Sequence, residues 1–303
     1  DLYLSIDADL QKATYLALQN EIAAIVYSNI KSGEIPINDV YTALIGNSVI
    51  NTEHFSKAKA SDTEKNVLSV FKSRQKTTLG KIKQELTSSP EALNTMSDEV
   101  LDEFTYIISM LKDDQVLLKN EIDTSDSVYQ KWKNQKISPK EYLSYCITQH
   151  WIDISQLNVD EKYADSTEVY DALCKYILKN IKTDTEFSKI IYQYMITRGE
   201  ISPRQLCLIL FDQGVLDYDD ATVNKLKNGS LSPRDFLMKK IYNIEITPAQ
   251  LALEPCIGSC VVTDEKTGEI LAMVSYPGYD SNKLANGVDS EYFASLQHDK
   301  SSP

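Results

Sequence analysis

Several features are scarce in this sequence, and each scarcity removes a class of function. No apolar run reaches the roughly 18 residues that a membrane-crossing helix needs, and no charged-then-apolar stretch opens the chain as a secretion signal would. Glycine-rich phosphate loops of either standard kind are missing. Basic residues are too few and too scattered for a nucleic-acid surface. Against 44 Asp and Glu stand 31 Lys and Arg, giving a formal net charge of -13, and the lysines alternate with acids, as in Lys81-Ile82-Lys83-Gln84-Glu85. No nucleic-acid partner is expected. The chain also lacks an initiator Met and begins inside a strand-like stretch, Asp1-Leu2-Tyr3-Leu4-Ser5-Ile6-Asp7. It reads as an excised piece of a longer protein.

The five cysteines form an odd, scattered set: Cys146, Cys174, Cys207, Cys256 and Cys260. That is no disulfide framework. Cys256 and Cys260 would share one face of a strand, but four extended residues separate their Cα atoms by about 13 Å, beyond disulfide reach. Free, mostly buried thiols are expected.

What is present suits a folded chain of two or three domains: 303 residues, 42% hydrophobic and 25% charged. Residues 1 to about 7 alternate as a short strand, and Asp7 or Asp9 can cap a helix starting near Leu10. From about Ser28 to Thr247 the pattern is almost wholly helical. Glu64 to Leu86, Ser97 to Ile122 and Ser166 to Ile181 carry apolar residues at three- and four-residue steps. After Leu253 the texture changes to two β-rich runs, Cys260–Asp264 and Ile270–Ser275, around Glu265-Lys266-Thr267-Gly268-Glu269. This predicts a β-hairpin with Gly268 left-handed, ended by Pro277-Gly278. A short helix is expected around Ser290 to Leu296.

One phrase recurs between the helices: Ile137-Ser138-Pro139, Ile201-Ser202-Pro203, Leu231-Ser232-Pro233 and Ile246-Thr247-Pro248. The hydroxyl accepts from an orphan backbone N–H, Pro fills the first helical position, and Glu141, Gln205, Asp235 or Gln250 stands where a side chain reaches back. Gly199 and Gly229, three residues before two of these caps, are placed to end the preceding helices in a left-handed residue. The unequal spacing of the phrases argues against a strict solenoid.

Two motifs of serine enzymes attacked by β-lactams occur: Lys266-Thr267-Gly268, and Ser-x-x-Lys at Ser69/Lys72. The triplet falls in the hairpin turn, where its lysine projects into solvent. Ser-x-x-Lys also occurs at Ser28/Lys31, Ser56/Lys59, Ser73/Lys76 and Ser109/Lys112, so the spacing carries little specificity, and the third motif, Ser-x-Asn, is missing. Cys146 and His150 have the i, i+4 spacing of helical metal ligands but no second pair nearby, and His54 and His298 stand alone. Asp217-Tyr218-Asp219-Asp220 lacks EF-hand spacing and reads as a solvated loop. Eighteen tyrosines against seven phenylalanines suggest ring-and-hydroxyl packing at core edges, with Tyr170, Tyr176, Tyr192 and Tyr194 on helix faces. No catalytic, cofactor-binding or metal-binding residue is assigned, and no cofactor is called for.

The stretch VVTDEKTGEILAMVSYPGYDSN, Val261 to Asn282, resembles a hairpin of the transpeptidase domain of class B penicillin-binding proteins, of the form Asp-x-x-Thr-Gly-Glu-Ile-Leu-Ala-Met, then Pro and Tyr-Asp-x-Asn. LYLSIDADLQKATYLAL, Leu2 to Leu18, resembles the segment opening that domain, with Ser5 where the family usually has Thr. In most members only a few tens of residues separate the two; here about 240 intervene. The intervening block resembles an insertion with Ile-Ser-Pro phrases among penicillin-binding proteins of anaerobic Gram-positive bacteria. The resemblance implies a parent that is extracytoplasmic, tethered to the membrane by an N-terminal segment outside this chain, and cross-links peptidoglycan through a serine acyl-enzyme. Its partners would be stem peptides and β-lactams. The family nucleophile lies downstream, in a Pro-Gly-Ser-Thr-x-Lys phrase not found in this chain, so no catalytic residue is carried over.

The expected fold is therefore mainly α with a small antiparallel β element: residues 1–26 opening a transpeptidase domain, 27–250 a helical insertion, and 251–303 the hairpin and following loop. Two other readings stand beside it. One is a helical interaction module for a cell-envelope or divisome partner or the glycan; the other is an unrelated secreted helical protein with a chance hairpin.

Overall fold

The structure, a computed structural model, describes residues 4–88, 91–157, 159, 165–279, 283–284 and 288–297. It is mainly α-helical with one small antiparallel β element. The helices are α1 (Ala8–Ser32), α2 (Ile37–Gly46), α3 (Asp62–Thr87), α4 (Asp98–Asp113), α5 (Ser127–Lys133), α6 (Pro139–Thr148), α7 (Ser166–Ile181), α8 (Thr185–Thr197), α9 (Pro203–Asp212), α10 (Asp220–Asn228), α11 (Pro233–Tyr242), α12 (Pro248–Leu251) and α13 (Ser290–Gln297). The strands are β1 (Gly258–Thr263) and β2 (Ile270–Tyr276).

The capping phrases do what their chemistry requires. Ser138, Ser202, Ser232 and Thr247 accept from the N–H of Glu141, Gln205, Asp235 and Gln250 at 3.1, 3.3, 3.0 and 3.2 Å. Gln205 and Gln250 return the bond, accepting from the cap N–H at 2.9 and 2.8 Å. Three residues before each cap the chain turns left-handed, at Gln135, Gly199, Gly229 and Ile244. Glycine is thus not required for this stop, although a β-branched residue such as Ile244, at φ 59°, is strained there. Ser48 before Asn51 and His150 before Asp153 repeat the spacing with other caps. In five of the six turns the residue just before the cap, Ile50, Ile137, Ile152, Ile201 or Ile246, is buried. Five of the turns thus combine a helix stop, a buried apolar anchor and a new start.

Two expectations change. The helix foreseen over Ser97 to Ile122 ends at Asp113. Gln115 adopts φ 59°, and buried Leu117 pairs with Ile152 in an antiparallel bridge flanked by Leu118 N to Trp151 O at 2.8 Å and Asp153 N to Val116 O at 2.9 Å. The apolar residues past Asp113 serve that pairing rather than another helical turn. At the N-terminus, Leu4 to Asp7 runs beside β2 without forming a ladder. Ser5 Oγ donates to Ile270 O at 2.7 Å and Asp7 N to Leu271 O at 2.9 Å; residues 1–3 lie outside the described residues.

The chain divides into two compact units, residues 1–67 with 196–303, and residues 68–195. In the first, α1 packs along its length on the hairpin, α11 and α12 and buries Ile22, Ala23, Val26 and Ile30; Leu206, Leu210, Leu237 and Ile241 of α9 and α11 are buried in the same unit. In the second, α4, α6 and α7 pack together around Phe104, Ile107, Leu143 and Leu173. Burial of each such aliphatic or aromatic side chain stabilises by about 1.5–3 kcal/mol.

Candidate functional site at the hairpin and first helix

Asp264 organises the hairpin turn. Its carboxylate accepts from Lys266 N at 2.7 Å and Thr267 N at 2.9 Å, while Gly268 N donates to Asp264 O at 2.9 Å with φ 77°. The N–H groups of Thr267 and Lys266 hold the Asp264 carboxyl below the ordinary aspartate range. Thr267 Oγ1 donates to Glu269 Oε2 at 3.0 Å. Lys266-Thr267-Gly268 is therefore a solvent-facing turn between β1 and β2, with all three of its backbone N–H donors consumed locally.

The outer edge of β2 is closed by a side chain. Gln11 Nε2 donates to Met273 O at 2.7 Å, and Met273 N donates to Gln11 Oε1 at 2.8 Å. One carboxamide thus supplies the donor and acceptor that a third strand would offer, leaving this stretch of edge satisfied. Asp7 caps α1 by accepting from Leu10 N at 2.8 Å, which sets Gln11 on the first turn facing the strand. The close approach of α1 needs two glycines. A Cβ on Gly258 would meet Ile22 Cδ1 at 3.1 Å and Leu18 Cδ1 at 3.2 Å, and one on Gly278 would meet Tyr15 Cε2 at 3.2 Å. Tyr15 and Tyr276 complete the seam with ring centroids 5.9 Å apart.

The two faces of the hairpin differ. Ala272, Val274 and Tyr276 are buried, whereas the cross-strand pair Val261 and Met273 is 56% and 59% exposed.

The other chemical candidates fall elsewhere. Ser69/Lys72 and Ser73/Lys76 lie inside α3 and face solvent; Ser28/Lys31 on α1 and Ser56/Lys59 before α3 are also exposed, as is Ser109 on α4. None of these serines follows a turn that would present it as a nucleophile. Cys146 and His150 do not share a helix face: α6 ends at Thr148, His150 is left-handed at φ 56° and exposed, and Cys146 is fully buried. Burial pushes the Cys146 thiol up to about 12. No three His, Cys, Asp or Glu side chains converge on a metal position among the described residues; His298 lies outside them. All five cysteines are unbridged. Asp219 caps α10, accepting from Ala221 N and Thr222 N at 3.2 Å each.

His54 is not alone, as its isolation in the sequence suggested. Its Nδ1 lies 2.6 Å from Oε1 of Glu64, which is fully buried and also accepts from Gln213 Nε2 at 2.8 Å and, through Oε2, from Ser61 N at 2.7 Å. Burial pushes the Glu64 carboxyl up, but the Gln213, Ser61 and His54 bonds outweigh it and hold the group below its ordinary value. The legible signal was Ser61-x-x-Glu64, a capping-box spacing, closed by Glu64 N to Ser61 Oγ at 3.2 Å. With Gln213 bonded to Asn51 N and O at 2.9 and 3.0 Å, this network fastens the start of α3 to the end of α9. The tyrosines act similarly as pins: Tyr106, Tyr145, Tyr176 and Tyr194 donate to Asp184, Asp126, Asp114 and Asp102 at 2.7–2.9 Å. Tyr170 donates to Leu86 O at 2.6 Å, and Tyr192 stacks on Phe71 at 4.2 Å.

No protein-family model matches the chain, and no solved structure matches it. Among curated proteins it is similar to the peptidoglycan D,D-transpeptidase MrdA of Escherichia coli K12, with 44% identity over 43 residues. The same holds for MrdA of the O6:H1 and O157:H7 strains. The match covers 14% of this chain and 7% of the relative's length.

Proposed function

We propose that the chain is a non-catalytic portion of a class B penicillin-binding protein that cross-links peptidoglycan in cell-wall synthesis by serine acyl transfer. The observation that carries this reading is the 43-residue similarity to a peptidoglycan D,D-transpeptidase. The hairpin supports it physically: it is joined to α1 through Gln11 and presents an apolar Val261/Met273 face suited to packing on more of such a domain. On this reading residues 27–250 are a helical insertion, entered along α1 and left at α12. That α12 packs beside α1 meets the requirement that an insertion return its ends to the host. The parent is extracytoplasmic and membrane-tethered, and its stem-peptide and β-lactam sites lie on parts outside these residues.

Incubation with a fluorescent penicillin tests the proposal in two arms. The 303-residue chain stays unlabelled, while a product of the same gene extended past Pro303 through a Pro-Gly-Ser-Thr-x-Lys phrase becomes covalently labelled on that serine. Labelling of the 303 residues, or a continuing reading frame without such a phrase, would overturn it.

A further inference from the structure

Two adjoining hollows in the unit of residues 1–67 and 196–303 share one arginine. The first, about 330 Å³, is lined by two of the capping phrases, Ser202-Pro203-Arg204 and Ser232-Pro233-Arg234, together with Tyr41. The N-termini of α9 and α11 therefore open into one space. The second, about 500 Å³, is lined by Tyr27, Tyr242, Lys31, Lys239 and Arg234, with Met238 and Asp235 beside them. In a chain of net charge -13, four cations converge here against one carboxylate. That carboxylate is already engaged, since Ser232 Oγ donates to Asp235 Oδ2 at 2.8 Å.

Tyr41 supplies an independent sign of a ligand. It is 5% exposed, it lines the smaller hollow, and its hydroxyl makes no hydrogen bond to any described residue. The ring is buried while the residue lines the hollow, so an oxygen acceptor bound there would engage its donor hydroxyl. Burial pushes the Tyr41 phenol up to about 12, with Cys207 and Asp235 adding to the rise and Arg234 opposing it, so the group is a neutral donor at physiological pH. A donor hydroxyl, two guanidinium groups and two helix N-termini together select an oxyanion, and the planar forks of arginine suit phosphate. In the larger hollow Tyr27 and Tyr242 lie 5.2 Å apart at 60°, and Tyr242 is 57% exposed. Such rings offer a surface for the apolar face of a sugar ring.

We propose that these hollows form one binding site for a phosphorylated saccharide, with the phosphate at Arg204, Arg234 and Tyr41 and the sugar ring against Tyr27 and Tyr242. The site is independent of the transpeptidase reading.

The test is calorimetric titration of the 303-residue chain with glucose 1-phosphate, inorganic phosphate, glucose and glucuronic acid as separate probes. Glucose 1-phosphate should bind at least about tenfold more tightly than each of the others, with affinity falling as salt rises. Arg204→Met and Tyr242→Ala should each weaken it by about tenfold, and Tyr41→Phe by several-fold, without moving the urea midpoint. Lys239→Met is the second charge variant if Arg204→Met fails to fold. Equal affinity for inorganic phosphate or glucuronic acid, an unchanged affinity in the charge variants, or no saturation up to about 10 mM would each overturn the assignment.

Discussion

Glu103 makes the unit of residues 68–195 pH-sensitive in a direction that can be worked out. It sits on α4, is 1% exposed, and its Oε1 has no hydrogen-bond partner. One of the two cations acting on it is already engaged: Arg74 Nη2 donates to both oxygens of Glu99, one turn earlier, at 2.8 and 3.0 Å. Burial, reinforced by the Glu99 charge and only partly offset by Lys81 and Arg74, pushes the Glu103 carboxyl from 4.5 up to about 8. Between those values the folded state holds a proton that the unfolded chain has released, so stability must fall as pH rises. The contribution is fully present below about pH 4.5 and is lost by about pH 8. At 1.36 kcal/mol per unit the loss is at most about 5 kcal/mol. Glu103→Gln keeps the shape and removes the titration. Urea unfolding at pH 5, 7 and 9 can be followed by tryptophan fluorescence, which reports this unit alone because Trp132 and Trp151 both lie within it. The variant should fall below the parent by about 1–3 kcal/mol at pH 5, where the amide adds a buried donor, and should exceed it at pH 9. A constant difference from pH 5 to 9 would refute the reasoning, because it would mean that Glu103 titrates alike in the folded and unfolded states.

Four further outcomes follow from the geometry. Gln11→Ala removes both bonds to Met273 and should cost about 1–3 kcal/mol, with faster hydrogen exchange at the Met273 amide as its specific signature. Ser202→Ala and Thr247→Ala, each breaking a reciprocal cap, should cost about 1 kcal/mol apiece in urea unfolding. Ile244→Asn should stabilise by about 0.5–1 kcal/mol by relieving a left-handed β-branched residue, seen as a higher urea midpoint at unchanged slope. Glu64, held below its ordinary value, has the opposite linkage to Glu103. Its contribution is present above about pH 4.5 and is lost as pH falls through the lower folded value; Glu64→Gln should abolish that acid-side dependence.

How far the sequence could be read depended on the range of the interactions. The four Ser/Thr-Pro caps, a cap of α1 at Asp7 or Asp9 and the Gly268 turn were legible because each is closed within a few residues by bonds the local chemistry demands. The end of α4 was not legible. Leu117 is apolar at helical spacing, and only its pairing with Ile152, 35 residues away, redirects it. The role of Gln11 was hidden for the same reason, since its partner Met273 is 262 residues distant. Gln135 and Ile244 concealed helix stops that Gly199 and Gly229 announced, because neither residue type signals a left-handed backbone.

By itself, then, the sequence determined where the Ser/Thr-Pro-capped helices start, where the hairpin turns and that Lys266-Thr267-Gly268 is a turn, all properties set by backbone donors and acceptors near in the chain. Tertiary structure alone decided which charges meet. Lys31, Arg204, Arg234 and Lys239 are scattered among acids in the sequence and give no basic run, yet packing of α1, α9 and α11 gathers them around two hollows. It likewise brought His54 to a carboxylate buried on α3 and left Glu103 without a partner for one oxygen. Charge proximity depends on distance through space, which the order of residues does not encode.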